Sequence, residues 1–454
     1  MQSFDLIVIG SGSGLEVSAQ AARRGLSVAV VENGPFGGTC LNRGCIPSKM
    51  LIYTADVMET IRRAPLFGVK TAPPEADWRR IRRRVFESVD AEARSIEEAN
   101  RRHPRISVFK GHGRFVDRKV LDVGGEQITA ETIVIAAGSR PRIPPIDGLE
   151  DVPFVTSDDV MRLDEKPRRM AMLGGGYISA EFAHFFGALG TRVSIIEQEP
   201  LLLPGEDDDI SERFTEVYER RFDLHVGSTV TQVRRDGHEL LLRVSSDGSE
   251  RTLSTDVLMV AVGRAPNSDL LDVEKTGVEV DDKGFVKTNE YLETNIPGIW
   301  ALGDIVGRYM LKHNANLEAV HVAHNIFNPE KRARISYRGM PHAVFASPQV
   351  AGVGLTERQA QRQRLDYAVG VYDYHDTAYG SSIEDHEGFV KVVAARDTRD
   401  ILGCHIIGTE ASVLIQEAAI AMRARLPTTA ITQSIYVHPA LPEVVQRAFL
   451  SVRF

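Results

Sequence analysis

Two stretches of this chain repeat one design, and together they leave few folds open. Phe4-Asp-Leu-Ile-Val-Ile9 is a short, nearly continuous apolar run, as expected of a parallel strand buried on both faces. Gly10-Ser-Gly-Ser-Gly14 reads as a tight turn, residues 16–25 as a helix, and Ser27 to Val31 as a second strand closed by Glu32. The second copy has a strand at Met170–Leu173, a turn at Gly174-Gly-Gly176, a helix over 177–189 and a strand at Arg192–Ile196 that ends at Glu197. Each is a strand–turn–helix–strand unit of the kind that holds a dinucleotide. The first glycine permits the turn, the second lets a pyrophosphate approach the backbone, and the helix N-terminus faces the phosphates. An acid about 20 residues further on accepts hydrogen bonds from a ribose. In the first unit these positions are Gly10, Gly12 and Glu32; the third fingerprint position holds Leu15, which leaves Gly14 beside it to relieve the packing of helix on strand. One glycine turn alone also occurs for structural reasons. A second copy with its own closing acid points to two dinucleotide sites in one chain.

Each unit returns through short strands. After the first come β segments at 106–109, 114–116 and 119–123, then the apolar run Thr132–Ala137, which ends in Gly138-Ser139; residues 140–145 read as a linker. After the second come a meander over 226–253 and the run Val257–Arg264. Gly298-Ile-Trp-Ala-Leu-Gly-Asp304 adds an edge strand and a turn. Beyond about residue 334 the pattern changes to strands at 343–353 and 389–395 with helices at 356–364 and 412–424, a separate C-terminal domain. Between the units, residues 78–102 form a long helix that carries Arg79, Arg80, Arg82, Arg83 and Arg84. Pairs at four-residue spacing, Arg83 with Glu87, Glu97 with Arg101 and Glu98 with Arg102, make this a solvated face rather than a nucleic-acid surface. At 454 residues the chain can bury a large cofactor, and its formal charge of −8 gives no general attraction to nucleic acid or an anionic membrane. No leader and no apolar run of membrane-spanning length is evident, so a cytoplasmic protein with small-molecule partners is expected.

Two of the three cysteines fall in Gly37-Gly-Thr-Cys-Leu-Asn-Arg-Gly-Cys-Ile-Pro-Ser-Lys49. Cys40 and Cys45 are separated by a turn at Gly44, and Pro47 is tolerated in the first turn of a helix whose apolar face would be Met50, Tyr53, Val57, Met58 and Ile61. Cys45 then lies at a helix N-terminus, where unpaired N–H groups favour a thiolate. Two unrelated buried thiols are the plain alternative. A close pair in a reducing compartment points instead to redox chemistry. Cys404, in the apolar run 401–407, is expected to be inert core.

Taken together, these features resemble the FAD-dependent pyridine nucleotide–disulfide oxidoreductases, the family of glutathione reductase, dihydrolipoamide dehydrogenase and mycothione reductase. The resemblance rests on the first fingerprint with Glu32, the Cys40–Cys45 motif through Lys49, Ala136-Ala-Gly-Ser139, the second fingerprint with Glu181, Gly303-Asp304 and His438-Pro-Ala-Leu-Pro-Glu443. It implies an α/β fold with two Rossmann-like domains, for FAD over 1–148 and NAD(P) over 149–264. A central segment, 265–334, would complete the FAD domain, and an α+β dimerisation domain would span 335–454. It implies that Cys45 is the thiolate beside the flavin and that Cys40 attacks the substrate disulfide. His438, oriented by Glu443 and supplied by the other subunit of a homodimer, would move the proton. Further FAD contacts would come from Thr39, Lys49, Gly113, Ala137, Gly138 and Asp304; Lys49 would pair with Glu181. Gly174, Gly176, Tyr177, Ile178, Glu181, Glu197 and Gly263 would serve the nicotinamide nucleotide. No metal site is implied.

Several stretches look most like the mycothione reductase branch: Met310–Asn316 followed by Glu318-Ala, Val344–Gln349, Ala378-Tyr-Gly380 and His438–Val445. Glu197 would accept from a ribose 2′-hydroxyl and repel a 2′-phosphate, so NADH is expected over NADPH. That acid is also typical of dihydrolipoamide dehydrogenase, which runs the same half-reactions toward NAD⁺ reduction and is the alternative. A non-catalytic flavoprotein scaffold is disfavoured by the joint presence of Cys40, Cys45, His438 and Glu443. Mercuric reductase is disfavoured because no second cysteine pair stands near the C-terminus.

Overall fold

The computed structural model describes all residues, Met1–Phe454. They form two compact units, one of Met1–Met50, Arg79–Arg142 and Gly263–Ser336, the other of Leu51–Trp78, Ile143–Val262 and Tyr337–Phe454.

The first unit is built on a seven-stranded sheet. Its central strand, Gln2–Ile9, runs parallel to Val28–Glu32 on one side and Glu126–Ile135 on the other, with Ile106–Lys110 outside Val28–Glu32. On its other edge Glu126–Ile135 has two partners. Its first residues pair antiparallel with Val120–Val123, and Ile133 to Ile135 pair in parallel with Ile299–Ala301, so a strand from late in the chain completes the sheet. Alternate residues of the strands feed two cores. Ile7, Ile9, Ala29, Val31 and Ile133 join Phe115 and Leu121 on one face. Leu6, Val8, Val28 and Val30 meet Val17 and Ala21 of the Gly14–Arg23 helix, and Ala319 and Val322 of the Lys312–Phe327 helix, on the other. Burial on both faces explains why these strands read as unbroken apolar runs.

In the second unit, the strands Asp223–His225, Arg192–Ile196, Arg169–Leu173 and Val257–Val260 make a parallel sheet in that order, beside the antiparallel meander Ser228–Asp236, Glu239–Ser246 and Ser249–Thr255. A five-stranded antiparallel sheet, ordered Pro341–Val344, Gln349–Gly354, Ile401–Gly408, Phe389–Ala395 and Tyr367–Asp373, packs on the helices Ala411–Arg423 and Pro442–Ser451.

Three expectations need correction. The single strand expected over 343–353 is a pair, Pro341–Val344 and Gln349–Gly354; Pro348, which has no N–H for a ladder, lies in the turn between them. Residues 140–145 are not all linker, because Ser139–Pro141 pairs with Arg264–Pro266. The Cys45–Arg63 helix buries Leu51, Ile52, Ala55 and Met58, while Tyr53 and Val57 are 68% and 43% exposed. Residues 51, 55 and 58 form one helical stripe, and the aromatic and branched residues of the neighbouring stripe stay uncovered in the single chain. The long helix Trp78–Arg102 is as expected, with Arg83–Glu87, Arg101–Glu97 and Arg102–Glu98 paired on an exposed face.

One buried cation holds the second unit together. Lys391, in the middle of the Phe389–Ala395 strand, is nearly inaccessible, and its Nζ lies 2.8 Å from Asp207, 2.7 Å from Asp209 and 2.7 Å from Glu357. Burial pushes the Asp207 carboxyl upward, but the bonds from Lys391 and from the Glu357 N–H outweigh it and leave the group below its usual value. That stabilisation is present above the ordinary carboxylate range and is lost as pH falls through the lower folded value. Lys391→Met, which strands the buried Asp207, is expected to cost about 3–5 kcal/mol at neutral pH. The difference from the unmodified protein should shrink as pH approaches ~4, where the stranded carboxyls take up protons. Denaturant unfolding across pH measures both.

A second prediction concerns the glycine turns. Gly174 has φ of 98°, and a Cβ there would come within 2.5 Å of the Ala261 carbonyl oxygen, whereas a Cβ at Gly176 would meet nothing. Gly174→Ala should lower stability by more than about 2 kcal/mol, and Gly176→Ala should leave the melting temperature nearly unchanged.

Candidate active site

The first glycine turn is tied together by a carboxylate and a hydroxyl. Glu32 accepts from the Ser11 N–H at 2.9 Å, the Ser11 hydroxyl at 2.7 Å and the Gly34 N–H at 2.7 Å. The same Ser11 oxygen accepts from the Gly37 N–H at 3.1 Å, so the turn, the closing acid and the start of the cysteine segment share one buried side chain. Gly14 begins the helix, and a Cβ on it would lie 2.8 Å from Val8 and 2.9 Å from Ala136. The close helix–strand approach absent from Leu15 is therefore supplied by Gly14. Gly12 and Gly38 face each other across the turn; a Cβ on Gly38 would come within 2.9 Å of the Gly12 Cα.

From Gly38 the chain forms a short helix, Gly38–Arg43, turns at Gly44 and enters the Cys45–Arg63 helix. Gly44 must be small, since a Cβ there would stand 2.9 Å from the Thr39 carbonyl oxygen and 3.2 Å from the Cys40 Cα. Asn42 is buried between the cysteines, and its amide donates to the carbonyls of Pro35, Phe36 and Gly38 at 3.2, 2.9 and 2.9 Å. Both cysteines are thiols, Cys40 half-buried and Cys45 exposed at the first residue of its helix. The hydrogen bond between their side chains, burial and the charge of Cys45 push the Cys40 thiol far above its usual value; Lys312 and the Cys45 N–H act against this without reversing it. The two thiols are therefore unequal, with the proton of Cys40 held more tightly than in a free cysteine. Lys312 donates from Nζ to the Ser13 hydroxyl at 2.9 Å, which ties the Lys312–Phe327 helix to the glycine turn.

Asp304, in the turn after Ile299–Ala301, accepts from the Ser139 hydroxyl at 2.7 Å, and Arg264 donates to both oxygens of Ser139 at 2.7 Å. Behind it the buried Glu318 accepts from the Gly303 N–H at 2.6 Å and from Asn314 at 3.0 Å. The Ala137 carbonyl accepts from Asn267 at 2.8 Å. Gly113 packs on Leu121 and Val31, Thr39 is half-buried in the cysteine turn, and Lys49 lies 3.5 Å from the Ser48 hydroxyl. The first unit thus gathers Gly10, Gly12, Gly14, Glu32, Thr39, Cys40, Cys45, Lys49, Gly113, Ala137, Gly138, Gly263 and Asp304.

The second unit repeats the turn geometry. Gly10 N–H donates to Val31 and Gly174 N–H to Ile196, each at 2.8 Å, and Ala136 and Ala261 donate back to Ile9 and Leu173 at 2.9 Å. Glu197 accepts from the Gly175 N–H and, at 2.8 Å, from the Glu199 N–H. Tyr177 and Ile178 open the Tyr177–Ala188 helix, and Glu181 accepts from the Phe345 N–H at 3.0 Å. His438 and Glu443 meet in the same unit, with Nδ1 and Oε1 2.9 Å apart. The second Glu443 oxygen accepts from the Ala440 N–H at 3.0 Å, and the bonds from His438 and this N–H hold the carboxyl below its usual value. The imidazole is 71% exposed.

Both nucleotide groups fit these residues. A Cβ would meet nothing at Gly138, Gly176 or Gly263, and at Gly12 only Gly38, at 3.9 Å. The second glycine of each turn therefore opens onto space beside a helix N-terminus that has no side-chain cap, which is what a phosphate needs. Ser11, Asn42 and Glu318 brace this arrangement, a structural role that the sequence does not assign to them. Their only signal is a polar residue inside an apolar setting, and that is too common to act on.

Residues 4–319 match the family described as pyridine nucleotide-disulphide oxidoreductase, and residues 340–449 match its dimerisation domain. The chain is 42% identical to mycothione reductase of Mycobacterium tuberculosis, with all of both chains covered. It is 34% identical to dihydrolipoyl dehydrogenase of Chlamydia muridarum, over 99% of this chain and 97% of the other. Glutathione reductase of Burkholderia cepacia is also 34% identical, over 97% of each. Among solved structures, the HOCl-induced flavoprotein disulfide reductase RclA of Escherichia coli, in its Cu(II) complex, superposes with a TM-score of 0.88 at 27% identity over 99% of each chain. No helix is long and apolar enough to cross a membrane. With two glycine turns of one geometry, a cysteine pair bolted to the first and full-length relatives of a single chemistry, the chain belongs to the pyridine nucleotide-disulphide oxidoreductases, flavin-dependent enzymes that use a pyridine nucleotide and act on sulfur groups.

Proposed function

We propose that this enzyme reduces a low-molecular-weight disulfide of the mycothione type with NADH, through Cys40 and Cys45. The observation that supports the chemistry is the geometry of the pair: the Cys40 thiol is half-buried against Cys45, which raises its pKa, while Cys45 stands exposed at a helix N-terminus, where a thiolate is favoured. FAD, which the first glycine turn with Glu32 and Asp304 would hold, would supply the two-electron chemistry that links a nicotinamide to the Cys40–Cys45 disulfide.

The residues then divide the remaining work. Cys40 gives its proton to His438 and attacks one sulfur of the substrate; the Cys40–substrate bond forms, the substrate disulfide breaks, and the departing thiolate takes the proton from His438. Cys45 attacks the Cys40 sulfur, restoring the protein disulfide and releasing the second thiolate, which takes a proton from solvent through His438. Glu443 on Nδ1 leaves Nε2 as the working nitrogen. The exposed imidazole and the matched dimerisation domain support a homodimer in which each site borrows His438 and Glu443 from the other subunit.

Thr39, Lys49, Gly113, Ala137, Gly138 and Asp304 would line the FAD site with the first glycine turn. Gly174, Gly176, Tyr177, Ile178, Glu181 and Gly263 would receive the nucleotide, in domains bounded near residues 148, 264 and 334. Identity of 42% over the full length, against 34% for the other branches, supports the mycothione-type substrate. Glu197 supports NADH. A carboxylate offers about four acceptor sites, of which the backbone takes two, leaving the rest for ribose hydroxyls and a charge that opposes a 2′-phosphate. The same acid favours the second reading, a dihydrolipoamide dehydrogenase.

Steady-state turnover with NADH against mycothione, glutathione disulfide and lipoamide, with NAD⁺ and dihydrolipoamide in reverse, separates these. The highest kcat/KM is expected with mycothione; faster lipoamide turnover would overturn the substrate assignment. NADH should outperform NADPH in the unmodified protein, and Glu197→Gln, which keeps an acceptor for the Gly175 N–H, should narrow the gap. Cys45→Ser should retain flavin and lose disulfide turnover, along with the long-wavelength absorbance that NADH titration of the unmodified protein is expected to produce. Retained turnover would rule out the dithiol route.

A further inference from the structure

His438 is held in direction by Glu443, yet nothing in that bond fixes where the ring stands. The segment that carries it has no regular structure between Thr429–Thr432 and Pro442–Ser451, and Ile435 to Pro439 make no backbone–backbone hydrogen bond. Ile435 is fully exposed and Val437 is 78% exposed. Between them Tyr436 turns inward, packs against the core of the antiparallel sheet and donates its hydroxyl to Glu417 Oε2 at 2.6 Å. Glu417 belongs to the Ala411–Arg423 helix, so the bond fixes a loop to a rigid element. On the N-terminal side, Gln446 donates to the Ser434 carbonyl at 3.0 Å. From Ile435 to Pro439, the Tyr436–Glu417 bond is the one polar tether besides the imidazole–carboxylate bond itself.

We infer that Tyr436 and Glu417 form a positioning pair that sets the place of the His438 imidazole for proton transfer to the leaving thiolate. Neither residue touches the reacting sulfurs in this scheme; they act through His438, and the inference rests on the reading of His438 as the proton carrier. A half-buried carboxylate suits the task because a hydrogen bond to a charged acceptor in partly dry surroundings is short, directional and costly to break. Burial pushes the Glu417 carboxyl upward while the Tyr436 hydroxyl works against it, as expected of a group retained for the bond it accepts.

The test uses the flavin-loaded full chain and follows its two half-reactions separately. Tyr436→Phe keeps the packed ring and removes only the hydroxyl. Reduction of the enzyme by NADH, in which His438 takes no part, should be unchanged. Steady-state reduction of mycothione, or of lipoamide if that turns over faster, should fall by about tenfold, the order expected from a small misplacement of a catalytic group. A nitro-aromatic disulfide, whose leaving thiolate needs no proton, should be turned over nearly as before. Glu417→Leu should behave like Tyr436→Phe, and Glu417→Gln, which keeps an acceptor oxygen, should retain most of the turnover even if Tyr436→Phe folds poorly. Unmodified turnover in Tyr436→Phe and Glu417→Leu, or equal loss in both half-reactions and with the aromatic disulfide, would overturn the inference. Full turnover in a parallel His438→Gln variant would instead remove the reading on which it rests.

Discussion

Much of this structure hangs on the hydroxyl of Ser11. It is fully buried, donates to Glu32 and accepts from Gly37, and so ties together three parts of the chain that must be in register for a flavin and a thiol pair to share one place. Without it Glu32 would keep the bonds from the Ser11 and Gly34 N–H groups, but the cysteine segment would lose the side chain that joins it to the turn. The contact between Gly12 and Gly38 follows from that anchorage. Two backbones without Cβ atoms lie face to face; the contact leaves Gly38 with little choice of residue and keeps the approach to the helix N-terminus clear.

The duplicated turn shows which features belong to the architecture and which to the ligand. Gly10 and Gly174 share positive φ, the same donor bond and the same crowding against a carbonyl of the returning strand, so both are demanded by the chain itself. Gly12 and Gly176 differ: neither is crowded by its own unit, and their smallness serves what lies beyond. The acids combine the two roles. Glu32 accepts three hydrogen bonds within its own turn region and Glu197 two, so each carboxylate is first a clamp on the chain, and what it could offer a ligand is what the clamp leaves over. Glu197, with fewer internal bonds than Glu32, keeps more acceptor capacity free, which is the basis of the proposed NADH preference.

The parts legible in the sequence were those with a short-range physical signature. Strands buried on both faces announced themselves as apolar runs, glycine turns as clusters, and the placement of Cys45 at a helix start through Pro47 and Gly44. What escaped lay in contacts between distant segments. Asn42 looks like a surface residue until Pro35, Phe36 and Gly38 are seen to need its amide. Asp207, which caps the Asp208–Glu219 helix, faces inward to accept from the buried Lys391, and in the Lys312–Phe327 helix Asn314 and Glu318 face inward, where Asn314 donates to Glu318 and Glu318 accepts from a turn N–H; such polar residues break the apolar periodicity on which a sequence reading depends. The stripe chosen for the Cys45–Arg63 helix failed for a related reason. Tyr53 and Val57 fall on an apolar face by their spacing, but burial in one chain is only one way to cover such residues.

A chain with well-filled cores leaves Tyr53, Val57, Ile435 and Val437 uncovered, and sets an oriented histidine among the last two. Apolar residues flanking a functional group are a poor surface for a solitary monomer and a good one for an interface, where they exclude water from the polar pair they surround. In the proposed dimer, the surface that removes Ile435 and Val437 from solvent would also desolvate His438 and deliver it to the other subunit's cysteines. The direction of the ring would come from Glu443, its place from Tyr436 and Glu417, and its dry surroundings from the second copy. Assembly and proton transfer would then depend on the same few residues, so a monomer could bind both nucleotides and still lack the means to protonate its product.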